Sequence, residues 1–452
     1  MNTLEPIGIL KKLKQIYRVL QACCFVSWGA NVIFMIFGVV FMNERGVSLS
    51  GIFLLNLLVI VVSFFTSTFL NKKSDKLKKR KQFMVLAYVL RTVGILFLVF
   101  GDDIIAFVIH NVITNLLNPL SIDVAIIYEL GEDIAFLDNK VHGTPVNPNV
   151  ATRYYLRYRM LGSLGWALMA PFAGFFIMYL NNTVMPVGFL LVNLPGYRIF
   201  LLASCLIYAA VSILFWLVYD EDMLTRLKSQ KGEPPHATID VLPTERSIAN
   251  NALKLSPAFA LLLIAIFTFQ IGASLFQTPY AIFMKTFSKG NLFYVGISYF
   301  LSAILEAPLF TVAYWIIKRK GYSATLSLAF LLEIVRVLAT VVVIPLNQPE
   351  LVLPLQMMNS FCFRWPSITH GISVVSSKQK ATGVNSSLIA EKAGGFCGSV
   401  VGSLLAGTSS DLGTYNYIFT FSLMFLSITE GIFSLGSFIQ ANQRASKKIL
   451  EN

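Results

Sequence analysis

The sequence predicts an all-α membrane protein, with twelve transmembrane helices in two six-helix bundles. Three observations carry that prediction. The 452 residues are 56% hydrophobic and 13% charged, include 37 Phe and have a mean hydropathy of +0.68, a balance foreign to a water-soluble chain of this size. Apolar runs of about 20 residues, the length a helix needs to cross the hydrocarbon, recur along the whole chain. One long polar segment lies midway and divides those runs six and six.

The first-half spans are read at 19–42, 48–70, 83–100, 104–130, 154–180 and 199–219, and the second-half spans at 258–284, 292–317, 324–344, 351–375, 386–407 and 415–438. The expected domains are therefore a bundle over 1–219, a cytoplasmic linker over 220–257 and a second bundle over 258–452. The linker contains Lys231-Gly232-Glu233-Pro234-Pro235-His236, turn and charge chemistry that suits a flexible connection. Lysines and arginines at span ends are retained on the cytoplasmic side. Lys11, Lys12, Lys14 and Arg18 precede the first span, Lys72–Lys81 follows the second, Lys318-Arg319-Lys320 follows the eighth, and Arg444, Lys447 and Lys448 follow the last. All of these fall on one side and outvote Lys285 and Lys289, so both termini are expected in the cytoplasm of a multi-pass protein of the cell membrane.

The net charge of +13 belongs to that topology signal, because the cations fall between apolar spans; it gives no ground for nucleic-acid binding. Cys23, Cys24, Cys205, Cys362 and Cys397 mostly lie inside apolar runs without metal-ligand spacing and read as small packing residues. The stretch Met1–Arg18 is too polar and basic for a cleaved signal peptide. No phosphate-binding loop, nucleophile elbow or His/Asp/Glu cluster with metal spacing occurs, so an enzyme, a cofactor and a metal are not expected.

The stretch Arg153–Leu168, read with Asp123 upstream, is where the chain concentrates its chemistry. A helix turns by about 100° per residue, so Arg159 and Trp166 lie within roughly 20° of each other while Arg157 lies about 160° from Arg159. An arginine and an indole on one wall can grip a sugar: the guanidinium donates to hydroxyls and the indole covers the C–H face of the ring. Other ionisable groups at membrane depth are Glu306, Arg336, Arg364 and Lys392. Each costs roughly 2.5 to 3.5 kcal/mol on insertion scales, so they are expected to meet in a polar cavity and form a charge network. Glu306, near the middle of its span, is suited to pair with a cation or to carry a coupling proton, while Glu333 and Arg336, three apart, can pair along one helix face. Gly394, Gly398 and Gly402, four apart, allow another helix to approach closely.

Twelve spans with a central linker and a basic loop after the second span resemble the major facilitator superfamily of transporters. Leu70–Lys81, with Asp75, Lys76 and Arg80, is similar to that superfamily's loop signature, and the resemblance implies a cytoplasmic gate there; Asn71 and Lys78 stand where the signature has glycines. Arg157–Leu168 resembles the fifth helix of the lactose permease-like group of oligosaccharide and nucleoside proton symporters. That likeness implies substrate binding by Arg159, Trp166 and Asp123, with Glu306 and Arg336 matching the second half more loosely. It also implies proton coupling, although Met357–Pro366 lacks the group's histidine and glutamate and carries Arg364 near the place of the carboxylate.

Together these features predict a monomeric secondary transporter that moves a small polar solute, a sugar first, across the bilayer by alternating access, with a proton as its coupling partner. A nucleoside or other aromatic solute, an uncoupled facilitator, and a sensor or scaffold with a transporter fold are the alternatives.

Overall fold

The computed structural model describes residues 4–77, 80–101, 103–117, 119–143, 150–181, 196–221, 223, 257–360, 380–407 and 411–451. All regular structure among them is helical. Eight helical stretches are long and apolar enough to cross a bilayer: Pro6–Glu44, Leu49–Thr66, Arg80–Phe100, Arg153–Leu180, Gly196–Val218, Phe259–Phe287, Ser323–Leu346 and Leu412–Phe438. Two shorter apolar helices, Ile104–Asn115 and Leu292–Ile304, add to them. Large apolar side chains stand on the outside of the helices, with Leu217 73% and Leu404 79% exposed, as surfaces meant for acyl chains require.

The chain divides into two compact units, Met1–Arg45 with Val61–Ala237, and Gly46–Ile60 with Thr238–Asn452. The first unit holds α1 (Leu4–Val32), a buried π turn (Ile33–Phe37), α2 (Gly38–Glu44), α4 (Arg80–Phe100), α5 (Ile104–Asn115), α6 (Pro119–His142), α7 (Val150–Asn181) and α8 (Gly196–Val218). The long helix α3 (Leu49–Leu77) contributes to both units, its start to the second and its remainder to the first.

Helix α1 packs along α7, α4 packs on α5 and α8, and α6 on α7. Glycines set the closest of these approaches. A Cβ at Gly165 would meet the Phe25 carbonyl oxygen at 2.0 Å, and one at Gly162 would meet Trp28 Cδ1 at 2.8 Å. The backbones of α1 and α7 therefore touch where other residues would hold them apart, the way membrane helices gain van der Waals contact without a hydrophobic drive. Gly165→Ala is expected to destabilise the protein by about 1–3 kcal/mol through overpacking, read as a lower Tm of the purified protein in detergent. Ion pairs tie down the end of this unit where α1 begins: Lys12 with Asp220 at 2.8 Å and Lys14 with Asp138 at 2.9 Å.

The second unit contains α9 (Pro257–Gln277), α10 (Tyr280–Phe287), α11 (Leu292–Ile304), α12 (Glu306–Val343), α13 (Val352–Gln356), α14 (Lys380–Ala406) and α15 (Leu412–Glu451). Helix α9 packs on α14 and α15, and α12 on α15. Gly394 and Gly398 let α14 reach the α9 backbone, where a Cβ would meet the Phe267 and Ile271 carbonyl oxygens at 2.3 and 2.8 Å. Short polar side chains fasten the start of α3 into this unit. Asn56 Nδ2 donates to Ser399 Oγ at 2.9 Å, and the hydroxyls of Ser50 and Ser403 are 2.7 Å apart.

Several expected boundaries are corrected. The connection expected over 131–152 is mostly helix, because α6 runs on to His142 and α7 begins at Val150. The fourth span is two helices, the first ending at Asn115 and the second beginning at Pro119. The eighth span is split at Leu305, between α11 and α12, while the expected separation of the eighth from the ninth falls within α12 at Gly321, whose φ of 81° leaves the helical range and is open to glycine but strained for other residues. The last helix continues to Glu451, past the end of its apolar stretch. Hydropathy reads the depth of hydrocarbon, and helices continue into water when no breaker stops them. The expected linker and most of the tenth span fall outside the described residues.

Candidate functional site

Helix α7 sets the geometry of the first unit. Its Tyr158, Arg159, Gly162, Gly165 and Trp166 succeed one another with spacings of one, three, three and one, which winds them around the side that meets α1 and α6. Because Gly162 and Gly165 draw α1 close, the Trp28 indole lies between the two groups expected to form the site. The Arg159 guanidinium sits 4.8 Å from the centre of the Trp28 ring, and Trp28 meets Trp166 edge to face at 5.9 Å. Arg159 and Trp166 thus belong to one aromatic wall, joined through Trp28.

Asp123 on α6 is buried and lies within hydrogen-bonding reach of the Tyr158 hydroxyl. Two cations act on it electrostatically, Arg91 and Arg159. No ion pair within 4.0 Å joins Asp123 to either of them, so Asp123 and Arg159 form no salt bridge between α6 and α7. The donors of Arg159 meet no hydrogen-bond acceptor among the described residues. A guanidinium can be held by stacking while its N–H edge stays free, which is how arginine is set up to receive a planar acceptor.

Arg91, on α4, extends the wall. Its Nη1 donates to Asn31 Oδ1 at 3.4 Å and to the Tyr208 hydroxyl at 3.3 Å, while the guanidinium lies 5.9 Å from the Phe34 ring and 5.7 Å from the Tyr208 ring. Asn31 stands three residues after Trp28, one turn along the same face of α1, and Phe34 follows in the π turn. The Tyr208 hydroxyl is itself oriented by donating to the Ser27 carbonyl at 3.0 Å. Trp28, Asn31, Arg91, Tyr158 and Tyr208 escaped the sequence reading. Arg91 was open to it, being an arginine inside a strongly apolar span and so a functional candidate by the rule already applied to Arg159. Trp28 carried no such signal, since aromatic residues are common throughout these spans.

In the second unit Arg336 is buried and paired with Glu333 one turn back. Its Nη1 donates to Gln356 Oε1 at 3.0 Å, and its guanidinium lies 4.7 Å from the Phe276 ring. Glu306 is half-buried and opens α12, directly after the helix break at Leu305. Lys392 is half-buried on α14. Arg364 lies outside the described residues. Arg80, expected at a gate, forms an ion pair with Glu129 of α6 at 2.7 Å. Asp75 and Lys76 lie in the helical backbone of α3, and their side chains fall outside the description.

A family model described as the MFS_1 like family matches residues 17–421. No curated protein sequence matches the chain. Among solved structures, the nucleoside transporter NupG is similar over 93% of this chain and 98% of its own, at 13% identity and a TM-score of 0.67. A bacterial homologue of the human lysosomal transporter Spinster aligns over 94% and 97% at 13% identity and a TM-score of 0.66. The xylose transporter XylE from E. coli aligns over 92% and 97% at 11% identity and a TM-score of 0.58. At these identities the likeness is one of fold.

Proposed function

The chain belongs to the MFS_1 like family, and on that premise we propose that it is a secondary transporter moving a sugar-sized polar solute by alternating access. The observation that carries the reading is the wall of Trp28, Trp166, Arg159 and Asp123 in the first unit. Its guanidinium edge meets no acceptor among the described residues, and an acid stands beside it. The indoles supply flat apolar area for the C–H face of a ring, and Arg159 and Asp123 supply a donor and an acceptor for its hydroxyls. Binding energy gained there lowers the cost of passing through the occluded state.

Glu306 is the group we assign to proton coupling and to the substrate side of the second half. Arg336, Arg364 and Lys392 form the accompanying charge network, and Asp75, Lys76 and Arg80 form the cytoplasmic gate, with both termini in the cytoplasm of the cell membrane. The nucleoside reading differs only in what lies against the indoles.

Both are tested with purified protein in sealed liposomes, offering labelled glucose, galactose, xylose and uridine while recording external pH. Saturable uptake with substrate-dependent alkalinisation outside establishes proton symport. Saturable uptake without a pH change makes the protein a facilitator, and ligand-induced stabilisation without any uptake makes it a sensor.

A further inference from the structure

We propose that the site in the first unit takes an anionic solute, a carboxylated sugar rather than a neutral one. This deepens the transport reading and rests on it. Arg91 and Arg159 flank neighbouring turns of the same face of α1, one contacting Asn31 and the other Trp28, and both act on a single acid, Asp123. Two fixed cations face one carboxylate, which leaves the wall one positive charge in excess.

Among the described residues no carboxylate forms an ion pair with either guanidinium. Arg159 has no hydrogen-bond or ion-pair partner among the described residues, and its guanidinium lies over the Trp28 ring. Arg91 is held by two long hydrogen bonds from one nitrogen, and its buried Nε has no partner. His110, edge-on to Phe34, contacts the Gly94 carbonyl oxygen through Nδ1 at 2.9 Å and contributes no negative charge. In a wet, open site water covers such an imbalance. When the site closes around its solute that water leaves, and an uncompensated guanidinium becomes costly. A neutral sugar would leave one cation bare at that step. A carboxylate would neutralise it, and its two oxygens fit the parallel N–H donors of a guanidinium.

The test measures the thermal stability and intrinsic tryptophan fluorescence of the purified full-length protein against matched pairs at constant ionic strength: glucose with glucuronate, and galactose with galacturonate. Acid members are expected to reach half-saturation at concentrations about tenfold or more below their neutral partners. Arg91→Gln is expected to erase most of that preference, and Arg91→Lys, which keeps the charge, to retain much of it. The lysine variant also guards against a glutamine variant that fails to fold. Equal or tighter binding of the neutral members overturns the anion proposal and leaves sugar transport standing. An acid preference untouched in Arg91→Gln also overturns it, because the excess charge would then have no part. Saturation by no member of either pair removes the sugar-site reading together with the anion proposal.

Discussion

Arg159→Ala is expected to abolish solute binding while leaving the fold intact. Arg159 donates to no protein acceptor among the described residues, so truncation leaves none of them orphaned. What is lost is a cation stacked on Trp28, worth about 0.5–2 kcal/mol to the empty protein, and the donors meant for the solute. Removing one partner of a desolvated charged contact costs about 2–5 kcal/mol of binding, or roughly 30-fold to several thousand-fold in Kd. Isothermal titration of Arg159→Ala should find no saturation where the wild type saturates, with the ligand-free Tm nearly unchanged. Arg159→Lys should fall between, because an ammonium keeps the charge but loses the planar stack and the paired donors. Wild-type binding by Arg159→Ala would remove the site. A Tm collapse would make Arg159 structural. Trp28→Ala should weaken binding more than Trp166→Ala, since Trp28 is the plate beneath the guanidinium and Trp166 is joined to it through Trp28.

Much of this architecture was legible because a bilayer imposes one rule on every span: enough apolar residues to cover the hydrocarbon. That rule sees composition and not conformation. It could not foresee the π turn at Ile33–Phe37, the break at Leu305 or the continuation of α6 through Glu132, Asp133 and Asp138, because charged residues beyond the membrane are compatible with helix and loop alike. At the site, Arg159, Trp166 and Asp123 stood out for what they are, two charges and an indole close in sequence or alike in depth. Trp28 enters from a helix more than a hundred residues earlier and is selected by Gly162 and Gly165, whose missing side chains admit it. Such a contact depends on how α1 meets α7, and no local spacing encodes that. The pair Glu333–Arg336 was legible for the opposite reason, its geometry being set by one helix alone.

The same pair yields the largest stability effect expected in the second unit. Glu333→Ala should lower stability by about 3–5 kcal/mol, because it leaves the Arg336 charge, only 2% exposed, without its counter-charge. Gln356 cannot substitute: its Oε1 already accepts from Arg336 Nη1, and an amide oxygen carries no net charge to offset a guanidinium. Removing both ions should be milder than removing one. The double variant Glu333→Leu with Arg336→Met takes away the buried cation along with its partner and leaves apolar volume against Phe276, so its Tm in detergent should lie above that of Glu333→Ala. If Glu333→Ala were as stable as the wild type, another carboxylate would have to neutralise Arg336, and Glu306, half-buried in the same unit, would be the first to test by making Glu306→Gln in the Glu333→Ala background. A further fall in Tm would then identify Glu306 as a structural counter-ion. An unchanged Tm would leave it available for the proton-coupling role assigned to it.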